Sequence, residues 1–190
     1  MTLAVLLEQL RGMRATINIP VLLMGYLNPI LQYGFERFCQ DAARVGVDGL
    51  ILPDLPIYEF ENEYGPVLRK HGLDFVFLVT PETSAERIRK VDMLSSGFIY
   101  AVSSSSTTGK NKDMREQEAY FQRLKEMKLK NPVMVGFSIR VKTSFDVACR
   151  YANGAIIGTA YIRAIENAVD IDTATREFLT GIVGVGAGVV

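Results

Sequence analysis

The sequence is short of most features that mark specialised protein classes, and each shortage excludes something. It has no charge bias, since 21 basic and 21 acidic residues leave a formal net charge of +0. Such a balance gives no basic footprint for nucleic acid or for an anionic membrane. A small anion still fits, because helix N-termini and backbone N–H groups bind one without any net positive charge. Cysteine is scarce: Cys39 and Cys149 lie far apart, without metal-ligand spacing, in amphipathic helical stretches. They read as buried structural thiols in a reducing compartment. The single histidine, His71, precedes Gly72 where a helix is expected to end, and it reads as a C-terminal cap with no chemistry. No charged-then-apolar leader opens the chain, and no apolar run reaches the roughly 18 residues of a membrane span. A cytoplasmic protein is the expectation. The Gly181–Val190 tail is apolar but short and glycine-rich, and carries no functional reading.

What is present is a rhythm. Six short apolar runs, Pro20–Tyr26, Gly49–Leu55, Phe75–Val79, Gly97–Ser103, Val133–Ser138 and Gly154–Ala160, each give way to a stretch with helical spacing. Continuous apolar runs are what parallel strands buried on both faces look like, and parallel α/β sheets carry their chemistry at the carboxyl ends of the strands. Leu3, Leu6, Leu7 and Leu10 predict a helix over Thr2–Arg11 ahead of the first strand. Further helices are predicted over Asn28–Val45, over Glu59–Lys70 with an interruption at Gly65-Pro66, and after a capping box at Thr83-Ser84-Ala85-Glu86. Others follow over Glu116–Lys128, Thr143–Tyr151, just after Thr159, and over Asp172–Leu179. The polar stretch Ser103–Lys112 reads as a lid or a disordered connection. The 190 residues form one domain with no internal linker.

Strands in this order suit an open doubly wound sheet or part of an eight-stranded barrel. Neither GxGxxG nor GxxxxGK[ST] follows the first strand, so the common nucleotide fingerprints are missing. The last two runs end in Gly136-Phe137-Ser138 and Gly158-Thr159-Ala160, where barrels build a phosphate site from backbone amides. Glycine at a strand end also serves tight packing against a helix. Both readings remain open on residue type alone.

Taken in order, Met24-Gly25-Tyr26-Leu27-Asn28-Pro29-Ile30, Gly46 to Pro56 with its Pro53-Asp54-Leu55-Pro56, Phe77-Leu78-Val79-Thr80-Pro81, Gly97 to Ser103, Val135-Gly136-Phe137 and Gly154 to Ala160 resemble the tryptophan synthase alpha chain family. The resemblance runs from about Thr2 to Ile165. It implies an α/β fold of the (β/α)₈ TIM-barrel type with six of the eight βα units present, and therefore a single incomplete barrel domain over residues 1–190. It also implies a lyase of tryptophan biosynthesis that cleaves indole-3-glycerol phosphate to indole and glyceraldehyde 3-phosphate. No cofactor is implied in this chain. Pyridoxal phosphate belongs to the beta chain, the partner in an alpha2-beta2 complex, which receives the indole.

By the same resemblance, Tyr100 lines the indole pocket, Thr108 and Gly109 belong to the loop that closes over substrate, and Gly136, Phe137, Ser138, Gly158 and Thr159 form the phosphate cradle and pocket wall. Asp54 fastens neighbouring loops, and Asn28 and Pro56 lie on the face presented to the beta chain. On residue type alone, Tyr100 is equally a core aromatic, Asp54 a turn former and Gly109 a flexible point.

The sequence also departs from the pattern. The family's general acid–base glutamate and indole-nitrogen aspartate, which sit on its first two strands, have no counterpart here, so no catalytic residue is assigned. Two sheet edges are expected to stay unpaired. The family's Gly-Phe-Gly-Ile-Ser reads Gly136-Phe137-Ser138-Ile139-Arg140, so Ser138 adds a side chain where a second glycine would leave room for phosphate. Two alternatives stand beside the lyase: a non-catalytic partial barrel that keeps phosphate or beta-chain binding, and another phosphate-binding barrel enzyme.

Overall fold

Strands and helices alternate along the chain, and every strand pairing among the described residues is parallel. The computed structural model describes residues 2–102, 114–136 and 139–184. The expected lid, residues 103–112, therefore lies outside the described residues. The chain divides into two compact units. One holds the residues up to Phe77 with Met93–Gly97, the other Leu78–Asp92 with Phe98 onward.

The first unit opens with α1 (Leu3–Gln9), whose N-terminus is capped by Thr2, the Oγ1 accepting from the Val5 N–H. A three-stranded sheet follows, in the order β1 (Leu22–Met24), β2 (Gly49–Ile51), β3 (Asp74–Val76). The amino ends of β1 and β2 are tied by Asp48, which accepts from the Val21 N–H and from Arg14. Arg14 also donates to the carbonyls of Gly46, Ile17 and Ile19.

The long helix expected over Asn28–Val45 is two: α2 (Leu27–Tyr33) and α3 (Phe35–Arg44). They break at Gly34, whose φ of 96° is a left-handed conformation that a side chain resists. Where Gly65-Pro66 is expected to interrupt, α4 (Ile57–Glu59) passes through a π-helical turn, Phe60–Tyr64, into α5 (Gly65–Lys70). The wider turn absorbs the amide that proline lacks, so the helix bulges rather than stops. His71 occupies the C-cap of α5, as the sequence suggests, with Nε2 3.9 Å from Glu36 Oε1.

The second unit carries β4 (Leu78–Val79), β5 (Ile99–Val102), β6 (Val133–Gly136) and β7 (Gly154–Ile156) side by side in that order. The single run Phe75–Val79 thus yields two strand segments: β3 pairs with β2 and β4 with β5, and Phe77 belongs to neither. Helices α6 (Ala85–Leu94), α7 (Met114–Glu126), α8 (Lys142–Tyr151), α9 (Thr159–Ile165) and α10 (Ile171–Val183) complete the chain.

Three expectations need correction. The cap of α6 is Ser84, whose Oγ accepts from the Arg87 N–H, while Thr83 bonds back to Thr80; the box expected at Thr83–Glu86 therefore does not form. Helix α10 continues through Gly181 to Val183, burying Ile182, so the tail begins as helix. Cys39 is buried, its thiol pushed up to about 12 by burial, but Cys149 is exposed. Among the described residues, no helix is long and apolar enough to cross a membrane.

The second unit is closed at the amino ends of its strands by Asp92. Its carboxylate accepts from the backbone N–H groups of Lys130 and Asn131 at 2.8 and 2.9 Å and from the Asn131 side-chain amide at 3.0 Å. Burial raises the Asp92 pKa, but these donors outweigh burial and hold it below the ordinary carboxylate value. A carboxyl whose folded pKa is depressed contributes stability above its unfolded pKa, and that contribution is lost as pH falls through the folded value. Asp92→Asn is therefore expected to cost about 2 kcal/mol at neutral pH. Urea titrations of both proteins should show the gap persisting through the ordinary carboxylate range and closing only at lower pH, as the folded group in turn takes up its proton. A gap independent of pH would remove the role given to the charge.

Candidate active site

The four-stranded sheet presents its two faces differently. Register places Tyr100 opposite Met134, and Met134 opposite Gly154; one layer further along, Val102, Gly136 and Ile156 are aligned. Side chains alternate along a strand, so these two layers share one face while Ile99, Ala101, Val133 and Val135 lie buried on the other. The first face is built for a large ring beside small neighbours. A Cβ placed on Gly154 would stand 2.7 Å from Met134 Cε, and one on Gly136 would stand 2.0 Å from Tyr100 Cε2 and 2.4 Å from its hydroxyl. Gly136 is thus covered by the Tyr100 ring. Tyr100 is 6% exposed, and burial pushes its hydroxyl above the ordinary tyrosine pKa, so it stays protonated at neutral pH.

Gly158 and Thr159 follow β7 at the carboxyl end, on the same side as Gly136 at the carboxyl end of β6. Both are exposed. Gly158 is the N-cap of α9, and a Cβ there would meet nothing within 4 Å. The first-turn N–H groups of a helix have no acceptor within it, so Thr159, Ala160 and Tyr161 turn such groups toward this space. The two glycines therefore differ in kind. Gly136 makes room for a ring, whereas a Cβ on Gly158 would touch none of the described residues. Thr108, Gly109, Phe137 and Ser138 lie outside the described residues.

In the first unit, the loop after β2 carries Pro53-Asp54-Leu55-Pro56. Both Asp54 oxygens accept from the Leu27 N–H at 3.0 Å, so a carboxylate from one strand-end loop caps the helix after another. Asp54→Ala is expected to cost about 1 kcal/mol and to speed exchange of the Leu27 amide; unchanged exchange there would show that the loop is held otherwise. Asn28 and Pro56 are both exposed, as are Tyr26 and Tyr58 at 70% and 73%. Among the described residues, no group of three or more His, Cys, Asp or Glu is placed to hold a metal ion.

Several contributors are not visible in the sequence. Met134 and Gly154, which set the floor beside Tyr100, sit inside strands whose register only the pairing reveals. The Asp92 knot could have been suspected from Asn131-Pro132 ahead of β6, but not its partner, 39 residues away.

Comparison with known proteins places this arrangement. The family model described as tryptophan synthase alpha chain matches residues 1–182. The tryptophan synthase alpha chain of Bacteroides thetaiotaomicron is 46% identical over 175 residues, which is 92% of this chain and 68% of the relative. That of Flavobacterium johnsoniae is 51% identical over 164 residues, 86% of this chain and 65% of the relative. Among solved structures, tryptophan synthase subunit alpha from Legionella pneumophila str. Paris superposes with a TM-score of 0.81 at 36% identity, covering 95% of this chain and 68% of that one. The A-subunit from the hyperthermophile Pyrococcus furiosus gives 0.80 at 28% identity, covering 93% and 71%. The chain spans about two thirds of the length of the curated relatives it matches. The fold class is α/β, of the (β/α)₈-barrel type.

Proposed function

This chain belongs to the tryptophan synthase alpha chain family, and from that premise we propose that it carries the indole-pocket wall and the phosphate end of an enzyme of tryptophan biosynthesis. The reaction is the aldol-type cleavage of indole-3-glycerol phosphate to indole and glyceraldehyde 3-phosphate. The observation that supports this reading is the buried Tyr100 ring lying over Gly136, at the strand ends that also hold Gly158, which is exposed among the described residues. In this reading indole lies against Tyr100, and the phosphate sits on the first-turn amides that follow Gly158. Thr159, Phe137 and Ser138 complete the wall, while Thr108 and Gly109 close over substrate. Asp54 supports the loops through the Leu27 amide.

Cleaving the carbon–carbon bond requires a proton delivered to the indole ring and another removed from the glycerol hydroxyl, each by a positioned group. The family's glutamate and aspartate for these steps have no counterpart in these 190 residues, so this stretch alone is impaired. Asn28 and Pro56 face the beta chain in an alpha2-beta2 complex, where pyridoxal phosphate serves the beta chain only, in the cytoplasm. A second reading follows from the same shortage of carboxylates: a non-catalytic partial barrel that retains phosphate or beta-chain binding.

Indole release from indole-3-glycerol phosphate separates the two. The 190 residues alone are expected to turn over at least about 100-fold more slowly than the Bacteroides thetaiotaomicron relative, and to gain activity when that relative's uncovered portion is fused to them. Comparable turnover without it would show that the missing-carboxylate argument is wrong. No gain with it would leave the non-catalytic reading.

A further inference from the structure

At the amino ends of β6 and β7, a hollow of about 370 Å³ opens between the end of α7 and the end of α8. Its size falls within the roughly 300–1,000 Å³ of small-molecule sites. The walls carry three cations, Lys125, Lys128 and Arg150, and no carboxylate. Two acids close by are already engaged: Asp92 accepts from the Lys130 and Asn131 N–H groups, and Asp146 holds Lys142. Helix C-termini carry partial negative charge, which accounts for one of the cations. The Lys125 ammonium donates to the Arg150 carbonyl at 2.8 Å and stands 6.0 Å from the centroid of the Tyr151 ring. The Lys128 ammonium and the Arg150 guanidinium have no hydrogen bond or ion pair among the described residues. Lys128 is also, glycine apart, the one described residue with a positive φ, 47°. Glycine is the usual choice just past a helix end, so the backbone gains nothing from a side chain there. Asn153 adds a donor. Its Oδ1 accepts from the Val133 N–H at 2.9 Å, which leaves its Nδ2 amide without a partner among the described residues.

We propose that this hollow is a second anion site, which takes the phosphate group of a small molecule between Lys128, Arg150 and Asn153. In a chain with a formal net charge of +0, three cations without a carboxylate form a local excess that draws in an anion. Arg150 offers a planar fork of N–H donors and Lys128 a compact point charge, and both suit phosphate oxygens. A tetrahedral group takes the Asn153 amide as well, whereas a planar carboxylate satisfies the fork more readily than three separate donors. A phosphate held there ties the end of α7 to the end of α8. The site lies at the amino ends of the strands, opposite to Gly136 and Gly158. It therefore stands or falls independently of the indole reading, and its readouts involve no turnover.

Cys149 stands in the wall and serves as a reporter, since the other cysteine, Cys39, is buried. The test measures alkylation of Cys149 in the 190-residue chain by neutral iodoacetamide and by anionic iodoacetate, at constant ionic strength, with the modified residue located by mass spectrometry. Comparing two reagents on one thiol cancels the reactivity of the thiol itself. The iodoacetate-to-iodoacetamide rate ratio is expected to be at least about fivefold higher at Cys149 than in a short uncharged cysteine peptide. Added inorganic phosphate should slow both reagents, saturably and by about threefold or more, because a bound group covers the wall. The double variant Lys128→Gly, Arg150→Gln should bring the ratio to within about twofold of the peptide's and remove the phosphate effect. Glycine accepts the left-handed backbone at position 128, so circular dichroism should match the parent. Should the variant unfold, the ratio and the phosphate titration in the unaltered chain decide the matter. A ratio equal to the peptide's, slowing that does not saturate, or slowing retained by the folded double variant would overturn the proposal. So would slowing by malonate but not by phosphate, which would give the hollow to a dicarboxylate.

Discussion

Gly136→Ala is expected to destabilise the protein by about 2–3 kcal/mol and, if indole lies against Tyr100 as proposed, to abolish indole binding. The added methyl would stand 2.0 Å from Tyr100 Cε2 and 2.6 Å from Cζ, well inside contact distance. Tyr100 is buried, so its ring moves only by displacing neighbours in a close-packed layer. The cause is separable by a double-mutant cycle. Tyr100→Ala alone costs about 3 kcal/mol for the lost ring. In that background Gly136→Ala should become nearly neutral, within about 0.5 kcal/mol, because the atoms it struck are gone. The sequence contains no tryptophan, so the fluorescence of added indole can be followed without a tryptophan background. If Gly136→Ala costs the same with and without the Tyr100 ring, the close approach is not what requires glycine there.

Tyr100 and Gly136 also mark how far the sequence could be read. Both sit in motifs that mark them, yet motif and residue type alone leave Gly136 between phosphate cradle and packing. Register decided that it faces the Tyr100 ring, because strand alternation puts residue 136 on the same face as residues 100 and 134. The order of strands and helices was legible because an apolar run of a few residues, followed by helical spacing, has few alternatives in a parallel sheet. Breaks within helices were less so. Gly34 looked like one more residue in a helical stretch, and only its left-handed backbone separates α2 from α3. The Thr83–Glu86 capping box failed by one position, since Ser84 and Thr83 are both good caps and the competition is settled by Thr83 bonding to Thr80. Ties such as Arg14 to Gly46 and Asp92 to Asn131 join positions more than 30 residues apart, beyond the reach of any local pattern.

The first unit should depend most on a single ring. Phe75 of β3 is 1% exposed, with its centroid 4.8 Å from that of Phe60 and 4.7 Å from that of Phe77; Phe60 and Phe77 are 4.9 Å apart. Three mutually touching rings thus join β3 to the π-helical turn that contains Phe60. Removing the Phe75 ring leaves a void that sheet and helix cannot both close, so Phe75→Ala is expected to cost about 3–5 kcal/mol. That is a large share of the roughly 5–15 kcal/mol by which a folded domain exceeds its unfolded chain. Phe75→Leu, which keeps apolar volume but loses the ring contacts, should cost about 1–2 kcal/mol less than the alanine variant. The loss should also be local. Amide exchange should accelerate first in β2, β3 and α5, ahead of β5 and β6, because the three rings belong to the first unit alone. Urea denaturation gives the magnitude and exchange the location. A cost below about 1 kcal/mol, or equal acceleration in both units, would mean that the ring cluster fills space without holding β3 to its helix.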